Sequence, residues 1–223
     1  MVISISNTTL PFMFFKYTHR KTSMESSLIV YVFFVSEELI QPEMITSYMT
    51  GEKAALAKEI LQGKREDLPI RQRHASVRNY IMLNMLLHNG ARSGVIINLK
   101  MGQYYSAKKR GPIDGNYVIH ITKHKTLESH GAAQIVLPEE LFQCLSTYLD
   151  LRKELPCFTE NMCMDDSPFL LNYSGKGLSH TDVSNQLTNE FADCNTKANR
   201  ISCRIIRKAA VTHVSTTRAS KVS

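Results

Sequence analysis

The last 28 residues of this 223-residue chain hold no aspartate and no glutamate, and no tyrosine follows Tyr173. The five cysteines, Cys144, Cys157, Cys163, Cys194 and Cys203, include no CxxC pair and no zinc-ligand spacing. Their odd number excludes a fully paired disulfide framework, and they read as reduced thiols of an intracellular protein. Long apolar runs are missing as well. The run Leu28–Val35 is only eight residues, far short of the about 20 that cross a bilayer as a helix, and no small-residue cleavage site follows it. No internal repeat and no low-complexity tract is present. With 43% hydrophobic residues, 21% charged residues and a mean hydropathy of -0.19, the composition excludes a disordered chain and leaves an ordinary globular protein.

What is present is positive charge, unevenly placed. The formal net charge is +7, yet residues 138–193 carry ten acids against three bases. Residues 196–223 carry seven bases, and 100–130 carry six bases against two acids, including Lys108, Lys109 and Arg110 in "AKKRGP". A polyanion would therefore meet the stretches on either side of the acidic segment rather than that segment itself.

The first 40 residues join short aromatic and β-branched runs without a clear period, and they are left unassigned. A helical segment over 41–65 follows, "PEMITSYMTGEKAALAKEILQG", with Pro42 near its start, Gly63 at its end and Gly51 as an interruption. A second helix is expected over about 70–88, because Val77, Tyr80, Ile81, Leu83, Met85 and Leu87 give it a broad apolar face. "HNGA" stops it, and a short helix carrying Arg92 is expected next. After the turn-rich "KKRGPIDGN", the β-rich "YVIHITK" and "AAQIVLP" read as a hairpin. An amphipathic helix from Pro138 comes next, with Glu139 and Glu140 at its favourable end. "SPFLLNY" is read as a short strand and "SHTDVSNQLTNEFADC" as a helix capped through Ser179. "NRISCRIIRKAAVTHV" is read as a basic final helix. On that helix Arg200, Arg204, Arg207 and Lys208 would form one stripe, with Ile201, Ile205 and Ala209 packing beside it. The fold class is mixed α/β (α+β), mainly helical with a small antiparallel sheet.

Three basic positions sit at junctions where side chains converge: Arg92, Lys125 in the hairpin loop, and Arg207 with Arg204. An arginine suits a phosphate diester because its rigid fork donates two hydrogen bonds and keeps its proton. A lysine on a flexible stem can also deliver a proton to a departing oxygen. His120, His124 and His130 surround the hairpin without a carboxylate or thiolate to complete a ligand set, so no metal and no cofactor is expected. "GKGLSH" at 175–180 lacks the GK[ST] and glycine spacing of a phosphate loop.

Taken in order, the helix before "NGARSGVIINLK", the hairpin with "HKT", the amphipathic helix and "RIIRKAAVTH" resemble the catalytic domain of the tyrosine recombinases, the phage integrase family. The resemblance is to the Crypton-like, transposon-derived and domesticated members, and it covers about residues 66–215. It implies that 66–223 is a C-terminally truncated integrase-like domain and that 41–65 is a remnant of the core-binding helical domain. It further implies that Arg92 and Arg207 clamp a DNA phosphate and that Lys125 acts as general acid. Lys108, Lys109, Arg110, Lys123, Arg200 and Lys208 would contact the DNA backbone, and the setting would be nuclear. The chain departs from the family where Arg204 replaces its usual histidine, where Val95 replaces a glutamate, and where the nucleophilic tyrosine is absent. The expected function is therefore binding of double-stranded DNA without strand cleavage, with no membrane partner and room for a homo-oligomer. The alternatives are a non-catalytic protein-interaction scaffold and a fragment of an active recombinase.

Overall fold

The computed structural model describes residues 40, 42–122, 132–194 and 201–208. Helix α1 (Pro42–Thr50) and helix α2 (Glu52–Leu61) are separated at Gly51. A Cβ on that glycine would lie 2.9 Å from the Ser47 carbonyl oxygen, so the interruption expected there has a steric basis. Helix α3 (Ile70–Asn89) is the centre of the structure, with an unbroken run of buried side chains from Val77 to Leu87. It stops at Gly90, whose φ of +54 is the left-handed conformation that glycine adopts without a Cβ penalty.

Helix α4 is short, Ser93–Ile97, and Arg92 is its N-cap rather than part of it. The extended backbone of Arg92 lets its carbonyl accept the first bond of the helix, from Val95 N–H at 2.9 Å. Helix α5 (Met101–Arg110) is an element that the sequence reading had not separated. It begins where the Gln103 side chain accepts from the Lys100 backbone N–H at 2.9 Å, and it ends in the Lys108–Arg110 cluster, as suits cations at a helix C-terminus.

An Asp114–Gly115 turn, with φ of +49 and +75, leads into strand β1 (Asn116–Ile121). Positive φ at both positions matches the twist of a tight hairpin turn. Strand β1 pairs antiparallel with strand β2 (Ala133–Pro138), in register from Asn116↔Pro138 to Ile121↔Ala133. The period-two pattern puts Ile119, Ile121, Ile135 and Leu137 into the core. The outer edge of β2 is held by α3: Asn89 donates to the Val136 carbonyl at 3.1 Å and accepts from its N–H at 2.7 Å. That clasp ties the hairpin to the last turn of the helix preceding Arg92.

Helix α6 (Glu139–Lys153) follows β2 directly, then a 3-10 turn (Glu160–Cys163) and helix α7 (His180–Glu190). A chain of ring contacts runs through the core, from Tyr117 stacked on Phe142 at 3.8 Å, through Tyr104, Phe169 and Tyr148, to His74. It joins the sheet to α6, α5 and α3, and each such pair contributes about 0.5–1.5 kcal/mol beyond its buried area.

"SPFLLNY" is not a strand. Its backbone bonds scatter: Phe169 N–H to the Leu99 carbonyl, Leu171 N–H to the Tyr148 hydroxyl, with only isolated bridges at Pro168 and Leu171. The buried Arg152 organises this segment instead. Its guanidinium donates to the carbonyls of Phe169 (2.8 Å), Met162 (2.7 Å) and Pro168 (3.2 Å) and to the Met101 sulfur (2.9 Å). We expect Arg152→Leu to cost about 2 kcal/mol, since three carbonyls lose a charged donor inside the fold. Urea unfolding checks it, and a loss under about 0.5 kcal/mol would contradict the assignment.

The final basic helix is described as helical over 203–208, starting later than expected. Ile201 precedes it, its N–H bonded to the Thr188 hydroxyl at 3.0 Å. Ile201, Cys203 and Ile206 are the buried residues and Ile205 is only half-buried, so the packing stripe differs from the one counted from residue 200. Arg200 and Ala209 lie outside the described residues. Among the described residues, no helix is long and apolar enough to cross a membrane, and no group of three or more His, Cys, Asp or Glu could hold a metal ion.

Candidate nucleic-acid interface

The turn 90–93 is where distant parts of the chain meet. Arg207 lies against it: its Cγ is 3.6 Å from the position a Cβ would take on Gly90. Arg92 and Arg207, 115 positions apart in sequence, thus flank a single turn. Arg92 is exposed and Arg207 half-buried. Neither makes a salt bridge or side-chain hydrogen bond among the described residues.

On the other side of Arg92 stands a contact that the sequence reading missed. Ser93 Oγ lies 2.8 Å from His180 Nδ1, and the His180 ring reaches to 3.6 Å from a Cβ built on Gly94. His180 is the first residue of α7, which Ser179 caps by accepting from Asp182 N–H at 3.1 Å. The Asp182 carboxylate in turn accepts from the Ser179 backbone N–H and hydroxyl, which hold it below the usual carboxylate range. Cys203 completes the neighbourhood: burial pushes its thiol up to about 11, while its own backbone hydrogen bond, the Ser93 hydroxyl and the Arg207 charge pull the other way.

The fold supplies the frame for this convergence. Arg78, buried in α3, donates to the Leu171 carbonyl at 3.2 Å and to Asn79 Oδ1 at 2.8 Å. Asn79 donates in turn to Gln186 and Glu190 of α7. Helix α7 is thereby fixed on α3, and the segment 201–208 is fixed on α7 through Thr188. Neither Ser93 nor His180 carries a local signal in the sequence, because the pairing spans 87 positions and forms only through these packed helices.

The other expected site residues stand apart. Lys108, Lys109 and Arg110 are exposed at the end of α5, and Arg110 donates to the Val118 carbonyl at 2.7 Å. Arg204 is exposed and Lys208 half-buried on 203–208. Val95, which departs from the family's glutamate, is buried and packs into the core. His120 is half-buried on β1. Lys123, His124, Lys125, His130 and Arg200 lie outside the described residues.

A helical domain built round one short antiparallel hairpin, in this order of elements, is the fold of tyrosine-recombinase catalytic domains. Among solved structures the chain is similar to the XerH site-specific recombinase bound to a palindromic difH substrate in a post-cleavage complex. The TM-score is 0.56 and the identity 14%, over 82% of this chain and 43% of that one. The pre-cleavage complex of XerH with difH substrate gives the same TM-score and identity, over 82% of this chain and 44% of that one. The chain thus spans less than half the length of these recombinase structures. No protein-family model and no curated protein matches the sequence.

Proposed function

We propose that this chain binds double-stranded DNA through the face around Arg92 and Arg207, and that the 223-residue polypeptide holds a strand without cutting it. The observation that carries the reading is the packing of Arg207 on Gly90, two residues before Arg92, with no carboxylate paired to either arginine among the described residues. Two guanidinium forks on one phosphate give charge-assisted, bidentate hydrogen bonding that fits a diester oxygen pair. The shared fold supports a nucleic-acid partner, since the similar recombinase structures are of DNA-substrate complexes. Backbone contacts of Lys108, Lys109, Arg110, Lys123, Arg200, Arg204 and Lys208, a phosphate contact of Lys125 at the position of the family's general acid, and the Crypton-like origin belong to the same proposal and rest on charge placement and motif order.

Covalent cleavage needs a nucleophile beside the clamped phosphate. All nine tyrosines lie at or before Tyr173, and Tyr48, Tyr80, Tyr104 and Tyr148 are buried. Fluorescence anisotropy with a labelled duplex at low salt tests the reading: saturable binding is expected, and no binding would contradict it. A nicked suicide substrate should give no denaturation-resistant protein–DNA band. A band mapped to one of these tyrosines would overturn the non-cleaving part.

A further inference from the structure

We propose that His180, held by Ser93, is a third phosphate ligand beside Arg92 and Arg207, and that it makes the grip on DNA tighten as the pH falls. The inference rests on the DNA-binding reading above and adds a residue and a regulation to it.

The geometry comes from three independent contacts around one turn. Arg207 packs against Gly90, two residues before Arg92, and the His180 ring packs over Gly94, two residues after it. The 2.8 Å contact with Ser93 Oγ occupies His180 Nδ1, while Nε2 has no hydrogen-bond partner among the described residues. The ring is exposed.

The serine holds the ring at Nδ1. A hydroxyl both donates and accepts, so it can serve either neutral tautomer. When the imidazole is charged, Nδ1–H donates to the Ser93 oxygen and Nε2 also carries a proton. Nε2–H of the imidazolium is then a donor for which a phosphate oxygen is the matching partner; Ser93 is a positioning residue.

The charged groups facing His180 favour an anion. Helix α4 offers Arg92 at its N-cap, and 203–208 offers Arg207 and the neutral Cys203 thiol. On α7 itself the acid of the first turn, Asp182, is engaged by the Ser179 N–H and hydroxyl. A bound diester supplies negative charge beside Arg92, Arg207 and the ring. It stabilises the imidazolium, so DNA binding and proton binding at His180 reinforce each other.

The test is affinity for a labelled duplex at fixed salt, from about pH 8 to about pH 6, the range in which histidine titrates. Wild-type protein should gain roughly three- to tenfold across that range, as the protonated ring adds a charge-assisted hydrogen bond to the phosphate. His180→Gln, which keeps a donor but no titrating charge, should lose that gain, and Ser93→Ala should shrink it. The His180 ring resonances of the wild-type protein should shift on adding the duplex, which reads the contact without any variant. If His180→Gln keeps the full pH response, or the ring resonances do not move, while Arg207→Ala weakens binding, the third ligand is refuted and the DNA-binding reading stands. If wild-type protein does not bind the duplex at any pH, both fall together.

Discussion

Lowering the pH from about 7 to about 4 is expected to remove about 3 kcal/mol of stability through His74 alone. His74 is fully buried in α3 against the Tyr148 ring, and neither of its nitrogens has a hydrogen-bond partner among the described residues. Burial, and then the charges of Arg78 and Arg152, push its pKa from 6.5 down to about 3. Between those two values the unfolded chain takes up a proton that the folded chain refuses. The stability is therefore intact above about pH 6.5 and is lost progressively as the pH falls toward 3, at about 1.4 kcal/mol per unit. His74→Phe keeps a ring against Tyr148 and removes the titration. Urea unfolding of both proteins at several pH values should show a shallower acid loss in the variant, by about 3 kcal/mol at pH 4. Equal pH slopes would refute the account of His74.

That histidine also shows where a sequence stops being informative. The run "IRQRHASVRNYIMLNMLLHN" gave the helix from its apolar face and its glycine stop, because both signals are local. Nothing local says that His74, Arg78 and Arg152 share a core, since Arg78 and Arg152 reach carbonyls in the 160–171 segment. The hairpin was legible because β-branched residues alternate, with Ile119, Ile121 and Ile135 facing inward. "SPFLLNY" was misread for the same reason in reverse. It is apolar and short like a strand, but its partners are the start of α5 and the guanidinium of Arg152, which lie far off in sequence.

The site divides in the same way. Arg92 was conspicuous as a charge in an apolar stretch, and Arg207 as part of an acid-free tail. The structure puts them beside one turn but leaves Lys125 outside the described residues. The Ser93–His180 contact was illegible because a serine after a helix stop and a histidine after a cap are ordinary residues until α7 is laid on α3 and α4. Position 204, an arginine, is exposed, whereas Val95 is buried, so only the first of these two departures lies at the surface.

Raising the salt from about 50 to about 200 mM should weaken duplex binding by roughly 300- to 1,000-fold, with little dependence on DNA sequence. The figure follows from about four to six phosphate contacts, each releasing condensed counterions, which give a slope of log affinity against log salt of about −4 to −5. The lysines and arginines able to make these contacts are concentrated in 100–130 and 196–223, while 138–193 is acidic overall and would contribute few of them. The dependence on salt rather than on sequence separates phosphate tracking from base reading.

The most direct test is the salt slope of Arg207→Ala beside that of Asp165→Ala. Arg207 flanks the Arg92 turn, whereas Asp165 is an exposed acid packed near Gly102 at the start of α5. Electrophoretic shifts at several salt concentrations should show Arg207→Ala weakening binding on every sequence and flattening the slope by about one unit, with Asp165→Ala leaving the slope unchanged. If Arg207→Ala binds duplex DNA with the wild-type affinity and slope, the arginine pair at this turn is not a phosphate clamp.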